Sequence, residues 1–213
     1  MNTLHSPALR QRLETLHAAA AEDPSRWAAR RERQAREGRP AGPDPLIRMG
    51  ELYIAVSPDD GQLLYLLARA CRARTLVEFG ASFGISTLYL GAAARDNGGH
   101  LHTTEVHPEK CRAVRDNLVQ TALNDVVTLH EGDALQSLAE TPQNIDLVFL
   151  DGWKSLYLPL LELLQPRLGD GALLIADNVD FEAAQDYLAR VTAADSGFTT
   201  RRIGDLAISC FTG

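Results

Sequence analysis

Two apolar stretches of the sequence are each followed by side chains that carry oxygen atoms. Residues 145–150 precede Asp151, and residues 171–176 precede Asp177 and Asn178. If the two stretches are neighbouring parallel strands, their carboxyl ends bring these three side chains together. Oxygen ligands without cysteine or histidine suit Mg²⁺ or another hard divalent cation. The sequence therefore predicts a cation site, whereas a turn and a helix cap are the plainer alternative.

A lysine follows the first of these acids. Of the 21 basic residues only two are lysine, Lys110 and Lys154. Lys154 comes three residues after Asp151, about one helical turn, so its amine can reach the same space. A lysine can release its proton, whereas an arginine effectively cannot, and a general base must take up and release protons near neutral pH. We predict that Lys154 is a general base; an exposed lysine on a helix is the ordinary alternative.

A glycine-containing loop, EFGASFGIS, follows another strand-like segment. Gly80 and Gly84 allow a tight turn and a close approach of the backbone to a ligand. Their spacing, G-x-x-x-G, lacks the third glycine of the dinucleotide-binding fingerprint. Glu78, directly before the loop, would oppose a pyrophosphate, so the loop favours a ligand with a cationic end.

Two more acids follow the next two predicted strands. Glu105 ends one strand, where a carboxylate can accept hydrogen bonds from both ribose hydroxyls. Asp133 follows the other and can accept from an adenine amino group. With Glu78 they describe a pocket for an adenosine that carries a positive charge and an amino group, as S-adenosylmethionine does. Any one of them alone could be a helix cap or a solvated loop residue.

Strand-like and helix-like segments alternate from Thr75 onward. The predicted strands cover residues 75–79, 100–106, 126–132, 145–151 and 171–177, with helices between them. FTTRRI and LAISCF then form an antiparallel hairpin around Gly204. Such alternation, with apolar runs in the strands, indicates an α/β fold with a mostly parallel sheet that helices cover on both faces.

Residues 1–48 predict a helical extension in front of this α/β domain, which covers residues 49–213. Two helices are expected, at residues 7–22 and 24–37, before a loop rich in proline and glycine at residues 38–45. The extension contains nine arginines and six acids, so its formal charge is +3 against −10 for the rest of the chain. Its arginine-rich helix is either a solvated face, or a lid or dimer arm.

The composition excludes several classes of protein. The net charge of −7 over 213 residues argues against a general nucleic-acid binder. No run of 18 apolar residues predicts a membrane span, and the first residues lack the apolar centre of a signal peptide. The three cysteines fit no disulfide or metal framework and suggest a reducing cytoplasm. The six histidines form no ligand pattern.

Four segments together resemble the cation-dependent O-methyltransferases of the catechol and caffeoyl-CoA type, which are class I S-adenosylmethionine enzymes. These segments are SPDDGQ, EFGASFGIS, FLDGWKSLYLP and IADNV, and the resemblance covers about residues 46–213. It implies a Rossmann-like class I methyltransferase fold with a seven-stranded sheet. It also implies a small vicinal-dihydroxy aromatic or natural product as the methyl acceptor, and a cytoplasmic homodimer.

The resemblance also implies roles for individual residues. Asp151, Asp177 and Asn178 are expected to bind Mg²⁺ or another divalent cation, and Lys154 to be the base. Trp153 is expected to pack near the adenine. The residues expected to line the S-adenosylmethionine site are Glu78, Gly80, Ala81, Ser86, Glu105, Val106, Asp133, Ala134, Asp151 and Trp153.

Two departures from the family pattern border the expected acceptor pocket. The catechol enzymes have an acid just before the final hairpin, where this chain has Thr199 and Thr200, and the segment after Asn178 lacks a glycine that is often present there. Both put simple catechol in doubt as the acceptor. Three other functions stay open: an RNA methyltransferase of the same fold, a nicotinamide-dependent oxidoreductase and a non-catalytic nucleoside-binding protein.

Overall fold

The computed structural model describes residues 2–38 and 49–213. Of the predicted loop at residues 38–45, all but Gly38 lies outside the described residues. Among the helices that are described, none is long and apolar enough to cross a membrane.

Seven strands form one sheet in the order β3-β2-β1-β4-β5-β7-β6. The strands are β1 (Thr75–Phe79), β2 (His100–Glu105), β3 (Val127–Glu131), β4 (Ile145–Leu150), β5 (Leu168–Ala176), β6 (Phe198–Ile203) and β7 (Leu206–Phe211). Strands β1 to β5 run parallel, and β7 is antiparallel to both β5 and β6. The predicted mixed sheet and its C-terminal hairpin are confirmed.

Within residues 2–38 and 49–213, eight α-helices surround the sheet. They are α1 (Pro7–Ala20), α2 (Asp23–Glu37), α3 (Pro58–Ala70), α4 (Ile85–Asn97), α5 (Pro108–Gln120), α6 (Ala134–Ser137), α7 (Tyr157–Leu164) and α8 (Gln185–Thr192). The helix α3 begins where its sequence predicts, because the Ser57 hydroxyl accepts a hydrogen bond from the backbone N–H of Asp60 at 3.1 Å.

The alternation of side chains along β4 divides the core into two layers. Leu147 and Phe149 pack on one face of the sheet, against residues of α1, α3, α4 and α5. Val148 and Leu150 point to the other face, where residues of α6, α7 and α8 cover them. Both faces of β4 are therefore buried, as its continuous apolar sequence indicates.

The N-terminal extension packs on the first of these layers. Leu9, Leu13 and Leu16 recur along one face of α1 and are buried in the same cluster as the sheet residues. Thr3 donates to the Asp96 carboxylate from its backbone N–H and from its hydroxyl, which lies 2.6 Å from Oδ1. The helix α1 thus shares the hydrophobic core of the α/β domain.

We expect Leu9→Ala to lower the free energy of unfolding by about 2–5 kcal/mol, because it opens a cavity in this shared core. Leu9 is 0% exposed, whereas Leu66 on α3 is 60% exposed. Leu66→Ala is the matched control and should change stability by no more than about 0.5 kcal/mol. Urea denaturation of both variants measures the difference; a Leu9→Ala protein as stable as the control would show that α1 is not part of the core.

Candidate active site

The predicted cation ligands lie together at the carboxyl ends of β4 and β5. The backbone N–H of Asp151 donates to the Phe79 carbonyl, and that of Asp177 to the Leu150 carbonyl, each at 2.9 Å. These bonds continue the sheet ladder to its edge. Asp151, Asp177 and Asn178 line one cavity of about 540 Å³. Strand pairing thus produces the convergence that the sequence predicts.

Burial makes the two carboxylates costly to ionise. It raises the pKa of Asp151 to about 7; the ammonium of Lys154 lowers this pKa, and the charge of Asp177 raises it. The pKa of Asp177 is also raised, mainly by burial. Two buried acids of the same charge call for a positive partner, and their hard oxygen atoms fit a divalent cation. Among the described residues, no three or more His, Cys, Asp or Glu side chains form a group that could hold a metal. The candidate site itself offers two carboxylates, Asp151 and Asp177, and the amide of Asn178.

The amine of Lys154 reaches the same corner. Its Nζ lies 3.1 Å from Oδ1 of Asp151 and 2.8 Å from the hydroxyl of Tyr157, and donates to both. The short 3₁₀ turn Lys154–Leu156 follows the strand directly, so the amine folds back over the strand end. The structure therefore places the predicted base beside a predicted cation ligand.

Tyr157 is a residue that the sequence reasoning left without a role. Its hydroxyl hydrogen is shared between the carbonyls of Leu150 at 2.8 Å and Asp177 at 3.0 Å. Burial raises the pKa of Tyr157, so the hydroxyl stays neutral. Tyr157 consequently joins the ends of β4 and β5 and holds Lys154. The only signal in the sequence was its place in FLDGWKSLYLP.

The glycine loop approaches the end of β4 closely. Gly80 has a φ of +98°, and a Cβ there would lie 2.8 Å from the backbone of Gly152. A second, narrow cavity is lined by Gly80, Ala81, Ser86 and Asp151 on one side and by residues 53–56 on the other. Asp151 thus borders both cavities, which places the predicted cofactor loop next to the predicted cation site.

Glu78 lies fully buried beneath this loop. One of its oxygens accepts hydrogen bonds from the hydroxyls of Thr87 and Thr103, and burial raises its pKa. Its other oxygen, Oε1, has no hydrogen-bond partner among the described residues. An orphaned acceptor under the loop fits a ligand or water that supplies a donor, and a buried acid fits a cofactor with a cationic end.

Glu105 organises the loop from the neighbouring strand. Its carboxylate accepts backbone hydrogen bonds, each 2.8 Å long, from Ser82, Val106 and His107. The amine of Lys110, the second lysine, is buried nearby and donates to the Ser82 hydroxyl at 3.0 Å. The Glu105 carboxylate can still accept hydrogen bonds from a ribose. Val106 helps to hold this carboxylate through its backbone N–H.

Six predicted cofactor residues do not line these two cavities: Glu78, Glu105 and Val106, described above, and three more. Asp133 caps α6 by accepting from the backbone N–H of Leu135 at 2.9 Å. Ala134 is buried in the layer below the sheet. The Trp153 side chain is 40% exposed. Their contact with an adenine stays a prediction.

The acidic residue that the sequence analysis did not find lies at the tip of the hairpin. Oδ2 of Asp205 is 3.5 Å from Nδ2 of Asn178, and its carbonyl accepts from the backbone N–H of Val179 at 2.9 Å. The hydroxyl of Thr200 instead donates to the Val191 carbonyl at 2.6 Å. The turn between β6 and β7 thus brings an acid to the cation site, whereas the threonines of β6 were expected there.

The N-terminal extension also lines the larger cavity, together with the residues that follow β4 and β5. His17, Ala20, Ala21 and Asp23 contribute to it, with residues 54–58 ahead of α3. The Asp23 carboxylate accepts from the backbone N–H groups of residues 53 and 54 and from Arg26. The extension therefore holds the segment that separates the two cavities.

Comparison with known proteins agrees with this geometry. A family profile described as a methyltransferase domain matches residues 77–179. The catechol O-methyltransferase of Niastella koreensis is 30% identical over 143 residues, 65% of this chain and 64% of that protein. The catechol O-methyltransferase of Sus scrofa is 30% identical over 148 residues, 66% of this chain and 79% of that protein. This chain spans about three fifths of several such curated relatives, for example 57% of the Mycobacterium tuberculosis protein.

Solved structures show the same fold. The O-methyltransferase TomG from Streptomyces achromogenes, in complex with SAM, has a TM-score of 0.69 at 24% identity, over 81% of this chain and 92% of that chain. An O-methyltransferase from Bacillus cereus in complex with SAH has a TM-score of 0.69 at 21% identity, over 87% and 97%. The class I fold expected from the sequence is confirmed. Given this fold and the extent of the match to the Sus scrofa protein, the chain belongs to the catechol O-methyltransferase family of class I methyltransferases.

Proposed function

We propose that the protein transfers a methyl group from S-adenosylmethionine to one hydroxyl of a small vicinal-dihydroxy aromatic, with the help of a divalent cation. One observation carries the proposal: Asp151 borders both the cavity under the glycine loop and the larger cavity that contains Asp177 and Asn178. The cavity at the loop measures only about 10 Å³, so the cofactor would lie along the loop and extend beyond that cavity. A cofactor there and an acceptor in the larger cavity would meet at Lys154, which contacts Asp151.

Different residues of this chain would have different roles in the reaction. Asp151, Asp177 and Asn178 would hold the cation, which would supply Lewis acidity to the acceptor. Lys154 can act as the base only as a neutral amine, after its ammonium proton has left to solvent; Nζ then accepts the proton of the reacting hydroxyl. The oxygen then forms a bond to the methyl carbon while the carbon–sulfur bond breaks, and its electron pair stays on sulfur. The products are a methyl ether and S-adenosylhomocysteine.

Other residues position the two reactants. The loop at Gly80 lets the cofactor approach, Glu78 provides a buried negative charge for its cationic end, and Glu105 is available for the ribose. Tyr157 fixes Lys154 at 2.8 Å, so the base is held in place before the acceptor binds. Such positioning supplies much of the rate acceleration when two substrates must meet.

Three finer points extend the proposal. The chemistry of the ligands favours Mg²⁺, the cavity of about 540 Å³ favours a small-molecule acceptor, and the cysteine pattern favours the cytoplasm. A homodimer stays a prediction from the family resemblance. That residues 1–48 form a separate extension also stays a proposal. The packing of α1 on the core and the extension residues that line the larger cavity support a role as a lid rather than as a free arm.

We expect Lys154→Met to lower kcat by at least about 100-fold, because the reacting hydroxyl loses its proton acceptor. Binding of S-adenosylhomocysteine should change by less than about twofold, since the amine is not needed for it. Lys154→Arg should be equally inactive, because the guanidinium stays protonated and cannot accept a proton. Turnover with labelled S-adenosylmethionine and calorimetry test this; a Lys154→Met kcat within tenfold of wild type would refute the base assignment.

Chelation should abolish turnover, and added Mg²⁺ should restore it. Asp151→Asn should remain inactive at Mg²⁺ concentrations that saturate the wild type, because it removes a charged ligand from a site of few ligands. Asp170→Asn, at an exposed position of β5, is the matched control and should behave as wild type. Full activity in excess chelator would exclude the cation from the reaction.

Replacing Glu78 should change how stability depends on pH. Burial raises the pKa of Glu78 in the folded state, so its stabilising contribution is complete below the unfolded pKa and is lost as the pH rises through the folded pKa. Glu78→Gln cannot ionise. Its free energy of unfolding should therefore rise relative to wild type as the pH increases above the unfolded pKa of a glutamate.

Urea denaturation at several pH values measures this difference, with the exposed Glu14→Gln as the control. The free energy of unfolding of the Glu14 variant should depend on pH in the same way as that of the wild type. If the free energy of unfolding of Glu78→Gln also depends on pH as the wild type does, then burial does not raise the pKa of the Glu78 carboxyl.

A further inference from the structure

His17 is the polar side chain of the larger cavity that the proposed reaction does not use. It lies in the last turn of α1, and its ring is half-buried at the cavity wall. Leu13 and Leu16 anchor this part of α1 in the core. The ring therefore has a fixed position in front of the acceptor space.

Tyr89 of α4 holds the ring in one orientation. The Nε2 atom of His17 lies 3.2 Å from the hydroxyl of Tyr89, which is itself buried. Burial lowers the pKa of His17 and raises that of Tyr89, so both groups are neutral near pH 7. Among the described residues, Nε2 of His17 is the only hydrogen-bond partner of the Tyr89 hydroxyl. We therefore assign the hydroxyl as the donor, which puts the ring proton on Nδ1. Within the described residues, Nδ1 has no hydrogen-bond partner and remains a free donor.

The other side chains of this wall offer no comparable donor. Ala20, Ala21, Ile54, Val56 and Pro58 are apolar. Asp23 is occupied by Arg26 and by two backbone N–H groups. The hydroxyl of Ser57 donates to the Asp60 carboxylate at 2.5 Å. Apart from the predicted cation site, His17 is thus the lining side chain that can donate to an acceptor.

The cavity is too large for a bare dihydroxybenzene. A cavity of about 150 Å³ accommodates a benzene ring, whereas this one measures about 540 Å³. An aromatic ring at Asp151, Asp177 and Asn178 leaves room for a side chain on that ring. The remaining walls are largely apolar, with one neutral donor among them.

We propose that His17 determines acceptor specificity by donating a hydrogen bond from Nδ1 to a carbonyl-type oxygen on the side chain of a dihydroxy-aromatic acceptor. The inference rests on the proposed O-methyl transfer and adds the class of acceptor. In this role the N-terminal extension supplies a specificity residue as well as a wall.

The test compares catechols that bear a methyl-ketone side chain, at two chain lengths, with alkylcatechols of the same lengths. His17→Leu should lower kcat/KM for the ketones by about three- to tenfold, mainly through KM, because one neutral hydrogen bond is lost. The values for the alkylcatechols should stay within about twofold. His17→Gln, whose amide can donate, should restore part of the preference. Comparing variants on the same acceptor cancels the intrinsic reactivity of each catechol.

Two more variants complete the experiment. Tyr89→Phe removes the group that orients the ring and should weaken the ketone preference. His5→Leu, an exposed position of the same extension, should leave it unchanged. Binding of S-adenosylhomocysteine checks that each variant is folded; if His17→Leu is not, then His17→Gln and Tyr89→Phe decide the question.

The outcomes separate the two proposals. An active wild type whose ketone and alkyl acceptors respond equally to His17→Leu would overturn the role of His17 alone. A wild type that methylates neither series with cation and S-adenosylmethionine would overturn the proposed function, and this inference with it.

Discussion

The structure depends on the burial of two like charges at one edge of a parallel sheet. Pairing of β4 with β5 fixes Asp151 and Asp177 beside each other, and burial raises the pKa of both carboxyls. Such a pair costs folding free energy unless protons, a cation or an ammonium compensates its charge. A divalent cation held by these carboxylates would compensate it, and the ammonium of Lys154 contributes from the side. The proposed chemistry uses this same need for positive charge.

The surrounding elements keep these groups in place. Tyr157 joins the carbonyls at the ends of both strands and contacts Lys154, so strand register and base position are coupled. Gly80 permits contact between the cofactor loop and the turn after β4, since a Cβ would collide with Gly152. The N-terminal extension closes the remaining side through Asp23, which binds two backbone N–H groups of the segment between the cavities. Cofactor loop, base and acceptor wall therefore meet within one connected set of contacts.

Much of this arrangement was predictable from the sequence because it depends on local patterns. Apolar runs that end in acids give both the strands and their carboxyl ends, and parallel pairing then determines which side chains meet. The features that were missed depend on tertiary contacts. Asp205 reaches Asn178 because β7 pairs antiparallel with β5 in a register that sets Ala207 opposite Ala176, and the sequence alone does not reveal this register. The arginine-rich α2 suggested a solvated face, or a lid or dimer arm, and has no buried residue, whereas the leucines of α1 lie in the core. The expected adenine contacts of Asp133 and Trp153 follow from the family resemblance, and the two cavities do not include them.

The most direct test is a calorimetric titration of Mg²⁺ into the protein at pH 7, in buffers of different ionisation enthalpy. Because the pKa of Asp151 is raised to about 7, the account predicts that each bound cation releases about half a proton or more. The observed enthalpy should then vary linearly with the ionisation enthalpy of the buffer, and Asp151→Asn should lose both the binding and the proton release. Binding of Mg²⁺ with no proton release, or equal binding by Asp151→Asn, would contradict the claim that the buried carboxylates form the cation site.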